Sequence, residues 1–138
     1  MDVLTFRIDQ AWFGLNAANV QRVVEEQAVY AIPCMPALHK GLLFYRGELF
    51  DVIDLGLVLH GAPAQGKRLM LVKWKMHAFA FLADEIGSIR AGDADAADRI
   101  EQETGDGVRL LSIDRLIETI LENCHGPGEI PADIFAGI

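Results

Sequence analysis

The stretch from Gly41 to Leu59, GLLFYRGELFDVIDLGLVL, constrains the fold most, because two apolar runs are separated only by Arg46 and Gly47. Runs that close together form two strands joined by a tight turn, or one ribbon that bends more gradually. KRLMLVKW and HAFAFLAD make a second pair of this kind, with Phe79 and Phe81 on one alternating face and Ala78, Ala80 and Leu82 on the other. The opening VLTFRI alternates likewise, setting Leu4, Phe6 and Ile8 against Val3, Thr5 and Arg7. AWFGLNAANVQRVVEE then reads as a short strand, a turn near Asn16 to Asn19, and another strand through Val20 to Val24. A period of two recurring through most of the chain predicts a mainly β fold.

The breaks in this pattern are as informative as the runs. Pro33 and Pro36 remove backbone donors and restrict the residues before them, so AVYAIPCMPALHKG is expected to be a connection with about one helical turn. GAPAQG is too short to separate two domains, and DADAADRIEQETGDG is an acidic, solvent-facing excursion. Ile113, Leu116, Ile117, Ile120, Leu121 and Cys124 recur near helical spacing opposite Asp114, Glu118 and Glu122, with Ser112 as a cap and Gly126-Pro127 as a stop. A chain of 138 residues with 51% apolar residues can bury one core, giving a single domain over 1–125 and a tail over 126–138. No run reaches roughly 18 apolar residues and the N-terminus lacks a basic leader, which favours a soluble intracellular protein without membrane insertion.

The sequence carries no assembled catalytic signature. Phosphate-binding, metalloprotease, hydrolase-elbow and paired-cysteine motifs are absent, and His39, His60, His77 and His125 are scattered. Cys34 and Cys124 read as buried or partly buried free thiols. Asp93 and Asp95 invite comparison with a calcium loop, but Ala97, Arg99 and Thr104 stand where its later ligands belong. Asp51, Asp54, Asp84 and Glu85 are expected to be hydrated or locally paired. The balance of 12 basic and 20 acidic residues gives −8, which argues against nucleic acid as a partner. Lys67, Arg68, Lys73 and Lys75 then read as a solvated strand edge, with an acidic protein as an open alternative, while Trp12 and Trp74 fit the core or an interface.

GLLFYRGELFDVIDL at 41–55, HAFAFLADEIGSI at 77–89 and LLSIDRLI at 110–117, in this order, resemble the CheW-like adaptor family from about Leu4 to Ile120. The local match is carried by Gly41, Arg46, Gly47, Val52, Ile53, Asp54 and Leu55. The resemblance implies two closely packed small β-barrel subdomains with a C-terminal helix. One subdomain draws mainly on the chain before GAPAQG, and the other combines the N-terminal strand with the later half. It further implies a noncatalytic cytoplasmic adaptor, without cofactor or metal, that couples a chemoreceptor signalling tip to a sensor histidine kinase regulatory domain at membrane receptor arrays. Arg46 is the leading interface candidate, with an ion pair or loop lock as its structural alternative, and Gly47 is expected to hold the turn presenting it. Phe44 and Tyr45 stand where the family usually has Asn-Leu, and Asp51 where it often has proline. These aromatics are expected either to extend the contact surface or to send one ring into the core. Asp54 is expected to position a loop and Leu55 to fill core volume. A small-molecule-binding β domain that regulates another protein is the main alternative, and a hydrolase assembled from distant Asp and His groups a weaker one.

Overall fold

A computed structural model describes residues 2–25, 28–90 and 108–122. Strand β1 (Val3–Ile8) pairs antiparallel with β2 (Ala11–Asn16), setting Phe6 opposite Phe13. A 3-10 turn at Ala17–Asn19, capped by the Asn16 side chain, leads into β3 (Val20–Glu25). Next come β4 (Val29–Tyr30), β5 (His39–Tyr45) and β6 (Glu48–Asp54), then helix α1 (Leu55–Leu59). The order closes with β7 (Arg68–Trp74), β8 (His77–Leu82), β9 (Glu85–Arg90), β10 (Val108–Leu110) and helix α2 (Ile113–Glu122).

These strands make two sheets. One has the order β10-β2-β1-β9, with β10 parallel to β2; the other has the order β3-β7-β8-β6-β5-β4, with β6 parallel to β8. The two-subdomain β fold with its C-terminal helix is present, although the hydrogen-bonded ladders of the described residues form open sheets rather than closed rings. The expected partition needs one correction. The first sheet does join the N-terminal strands to late ones, but β7 and β8, which follow GAPAQG, belong to the second sheet. Their antiparallel pair is held there by the parallel β6–β8 ladder.

Both faces of the central strands are buried, which explains their apolar density. Phe6, Phe13, Met70, Phe79 and Phe81 fill the layer between the sheets, and Leu116, Ile117 and Ile120 of α2 cover it. Val24, Leu43, Phe50, Val52, Leu69, Leu71 and Ala80 form a second core on the other face of the six-stranded sheet. Burying one such large side chain contributes roughly 1.5–3 kcal/mol.

Other local expectations change for definite reasons. The Val29–Tyr30 segment is an edge strand, and the residues between it and β5 form turns without a helix. LGLVL does not prolong β6, because Asp54 caps it into α1. Strand β7 lies between β3 and β8, so its basic residues do not mark a sheet edge. Leu121 is 42% exposed because it falls off the helical stripe that buries Leu116, Ile117 and Ile120. Cys34 is an exposed free thiol on a proline-flanked turn with φ 66°, which holds it away from both cores. Trp12 and Trp74 are half-buried. The acidic excursion with its calcium-like Asp93 and Asp95, and Cys124, His125 and the 126–138 tail, lie outside the described residues.

Candidate functional site at the turn end of the larger sheet

The β5–β6 ladder pairs Phe44 with Leu49 and Tyr45 with Glu48, leaving only Arg46 and Gly47 in the turn. Both turn residues have positive φ, 49° and 82°. A two-residue turn of this kind matches the twist of the flanking strands and ordinarily takes Asn or Gly at its first position. Arg46 occupies that position at a conformational cost, and it is exposed. Its guanidinium carbon stands 5.3 Å from the centre of the Tyr45 ring. Gly47 has open space around its α-carbon, so its role is conformational rather than steric.

Because β6 and β8 run parallel, the 46–47 turn and the Lys75–Met76 turn lie at the same end of the sheet. Lys75 also has positive φ, 52°, and its ammonium sits 4.4 Å from the centre of the Trp74 ring. An apolar row crosses this end. Phe44 is 60% exposed and Leu49 58%; extending the β6–β8 register by two residues brings His77 beside Leu49. His77 stacks on Trp74, whose indole N–H donates to Asp114 of α2. Arg22 of β3 donates to the Tyr45 hydroxyl at 3.1 Å, and Lys73 pairs with Glu48 at 2.7 Å. At this end of the sheet Arg22, Tyr45, Glu48 and Lys73 lie on the second-core face and Phe44, Leu49, Trp74 and His77 on the other, with Arg46 and Lys75 in the two turns.

The structure brings Phe44, Tyr45, Arg46 and Gly47 together and places the other motif residues elsewhere. Phe44 points outward, while Tyr45 is half-buried at the rim of the second core. Gly41 lies where β4 crosses β5, and a side chain there would collide with the Tyr30 carbonyl oxygen. Val52 and Ile53 are buried on opposite faces of β6. Asp54 and Leu55 sit at the opposite end from Arg46 and are both fully buried. Of the two expectations for Asp54, hydration or local pairing, the structure shows pairing. Its carboxylate accepts from Gly56 N at 2.8 Å, Leu57 N at 3.3 Å and Ala64 N at 3.0 Å, with Lys40 Nζ 3.7 Å away.

Asp51 is locally paired: it meets His39 Nε2 at 2.9 Å across the hairpin. The His39 side chain is only 6% exposed, and an Nε2–H donated to the Asp51 carboxylate satisfies that nitrogen. At the same end as Asp54, Asp84 accepts from the backbone N–H groups of Asp9 and Gln65. Desolvation raises its pKa, but those two hydrogen bonds, with Arg7 and His60, outweigh it and leave the carboxyl below its usual range. Lys67 and Arg68 also lie at this end, so the basic run is split between the two ends of β7 rather than forming one patch.

Sequence reasoning missed Arg22, although alternation in VQRVVE puts it on the same face as the buried Val24. Among the described residues, no group of three or more His, Cys, Asp or Glu side chains is arranged to hold a metal, and no helix is long and apolar enough to cross a membrane.

The model of the CheW-like domain matches residues 2–119. The chain belongs to the CheW-like domain family. A 58-residue segment is 31% identical to Chemotaxis protein CheW of Treponema pallidum (strain Nichols), covering 42% of this chain and 34% of that relative's length. The crystal structure of the scaffolding protein TtCheW from Thermoanaerobacter tengcongensis is similar with a TM-score of 0.62. At 23% identity, over 68% of this chain and 66% of that one, the likeness is one of fold. Within a CheW-like domain, the exposed Arg46 turn and its aromatic flank are the candidate surface for protein contact.

Proposed function

We propose that this CheW-like chain is a noncatalytic adaptor that couples a chemoreceptor signalling tip to the regulatory domain of a sensor histidine kinase in chemotactic signalling. The observation that carries the reading is the family match over residues 2–119. It is supported by a surface suited to protein contact: exposed Phe44 and Leu49 beside Arg46, on a rigid hairpin whose other face is core. Aromatic and arginine side chains carry much of the energy of protein interfaces. In this reading residues 1–125 act as one adaptor domain with 126–138 as a tail, and the protein works in the cytoplasm, recruited to receptor arrays through its partners.

The adaptor needs no reacting group. By binding two partners at once it fixes their relative placement, and any difference in its affinity for two kinase states shifts the balance between them. The small-molecule alternative draws less support from the strands of the larger sheet. Phe79 and Phe81 are packed core, and clefts of 270, 250 and 230 Å³ on the surface are lined in part by charged side chains.

Titrating isotope-labelled protein with the kinase regulatory domain encoded in the same genome tests the proposal. Saturable NMR shifts centred on residues 44–49, lost in a folded Arg46→Ala protein, are the expected result. Absence of shifts with both that domain and the receptor tip would overturn it.

A further inference from the structure

We propose that Arg22 and Arg46 form a two-guanidinium clasp, assembled on Tyr45, for an acidic side chain of a partner protein. The proposal rests on the adaptor reading and names the chemistry that surface recognises. Arg22 lies on β3 and Tyr45 on β5, four positions away in the sheet order, yet Arg22 and Arg46 both reach one ring: Arg22 donates to the Tyr45 hydroxyl at 3.1 Å, and Arg46, in the β5–β6 turn, stands 5.3 Å from the ring centre. Both are exposed, and among the described residues neither has a carboxylate within ion-pair distance. Glu48, which faces Tyr45 across the ladder, is held by Lys73 at 2.7 Å.

Two unneutralised guanidinium groups around one ring repel each other, in a chain whose net charge of −8 could readily have supplied an acid there. An incoming anion relieves that repulsion. The planar donor forks match a carboxylate geometrically, and Arg22 is already oriented by its bond to Tyr45. Tyr45 is half-buried against the second core, so the ring that carries the clasp is fixed by apolar packing. On the adaptor reading the anion arrives on a protein partner, whose surface meets the exposed Arg46 turn as its acidic side chain meets the two cations. The left-handed backbone of Arg46 fits the same purpose, because Asn or Gly would adopt it at lower cost but would carry no cation.

The test compares wild type, Arg22→Gln, Arg46→Gln and the double variant, each checked for folding by its NMR spectrum. Each is titrated with the kinase regulatory domain and the receptor tip at low and high salt. For at least one domain, each single variant is expected to weaken binding by about tenfold and to flatten its salt dependence, as loss of a charge-assisted contact would. The double variant is expected to fall short of the product of the singles, since one carboxylate is shared. Binding by wild type with no loss in Arg22→Gln would overturn the clasp and leave the adaptor reading standing; Arg22 would then be only a tether between β3 and β5. If neither domain binds wild type, the adaptor reading fails and a tetraglutamate peptide decides the clasp. Joint saturable shifts of the Arg22 and Arg46 side-chain N–H signals would support it, and unmoved signals would overturn it.

Discussion

Arg46 is read best through the cost of its conformation. A non-glycine residue with φ 49° at the first position of a two-residue hairpin turn weakens the hairpin unless something else retains it. Arg46→Asn is therefore expected to raise stability by roughly 0.5–1 kcal/mol while weakening partner binding, a pairing that thermal melts and titrations check together. Asp51 makes a different point. It stands where the resemblance led us to expect proline, and its contact with the buried His39 ring explains why the substitution is tolerated. Asp51→Ala strands a buried imidazole N–H, and denaturant unfolding should show a loss of about 1–3 kcal/mol. The depressed pKa of Asp84 sets the acid behaviour of its corner. Its contribution to stability is present above the unfolded-state value near 3.8 and is lost as pH falls through the lower folded-state value. Asp84→Asn should thus be less stable than wild type at neutral pH and show a shallower fall in melting temperature below about pH 4.

The hairpins and the last helix were legible at the scale of elements because each carries its own period. Phe79 and Phe81 alternate against Ala78 and Ala80, and Leu116, Ile117 and Ile120 return at helical spacing, so local sequence states which face is buried. The short edge strand β4 was not legible. It exists because Gly41, without a side chain, lets the Tyr30 backbone pass beside β5, and that is a tertiary circumstance. Helix α1 was hidden for a similar reason: LGLVL continues an apolar run and becomes helical where the buried Asp54 side chain holds Gly56 N and Leu57 N. The two motif glycines consequently differ in mechanism. Gly47→Ala should cost about 1 kcal/mol through backbone angle alone. Gly41→Ala should cost more and raise amide exchange at Val29 and Tyr30, since β4 must move. Asp54→Ala should destabilise by about 2–4 kcal/mol, because it removes the cap of α1 and the anchor of the 61–66 loop together.

At the scale of the whole molecule, two sheets share an apolar layer closed by α2. The family could be read from the order of its motifs, whereas the candidate surface was legible only in part. Phe44, Tyr45 and Arg46 are consecutive, so the sequence placed them together at once. Arg22 joins them across the curl of a six-stranded sheet, and Lys75 arrives on a second turn because β6 and β8 are parallel, neither of which local pattern encodes. Asp54 and Leu55 belong to the same motif but serve the opposite end of the sheet, so membership in a motif did not imply membership in the surface. Under the proposed adaptor function, signal coupling follows from this arrangement of surfaces. The most direct test is kinase autophosphorylation in a reconstituted mixture of receptor signalling fragment, cognate kinase and this protein. Receptor-dependent control of the kinase that appears with wild-type protein and collapses with folded Arg46→Ala is the result predicted here; control that is the same with or without the protein would contradict it.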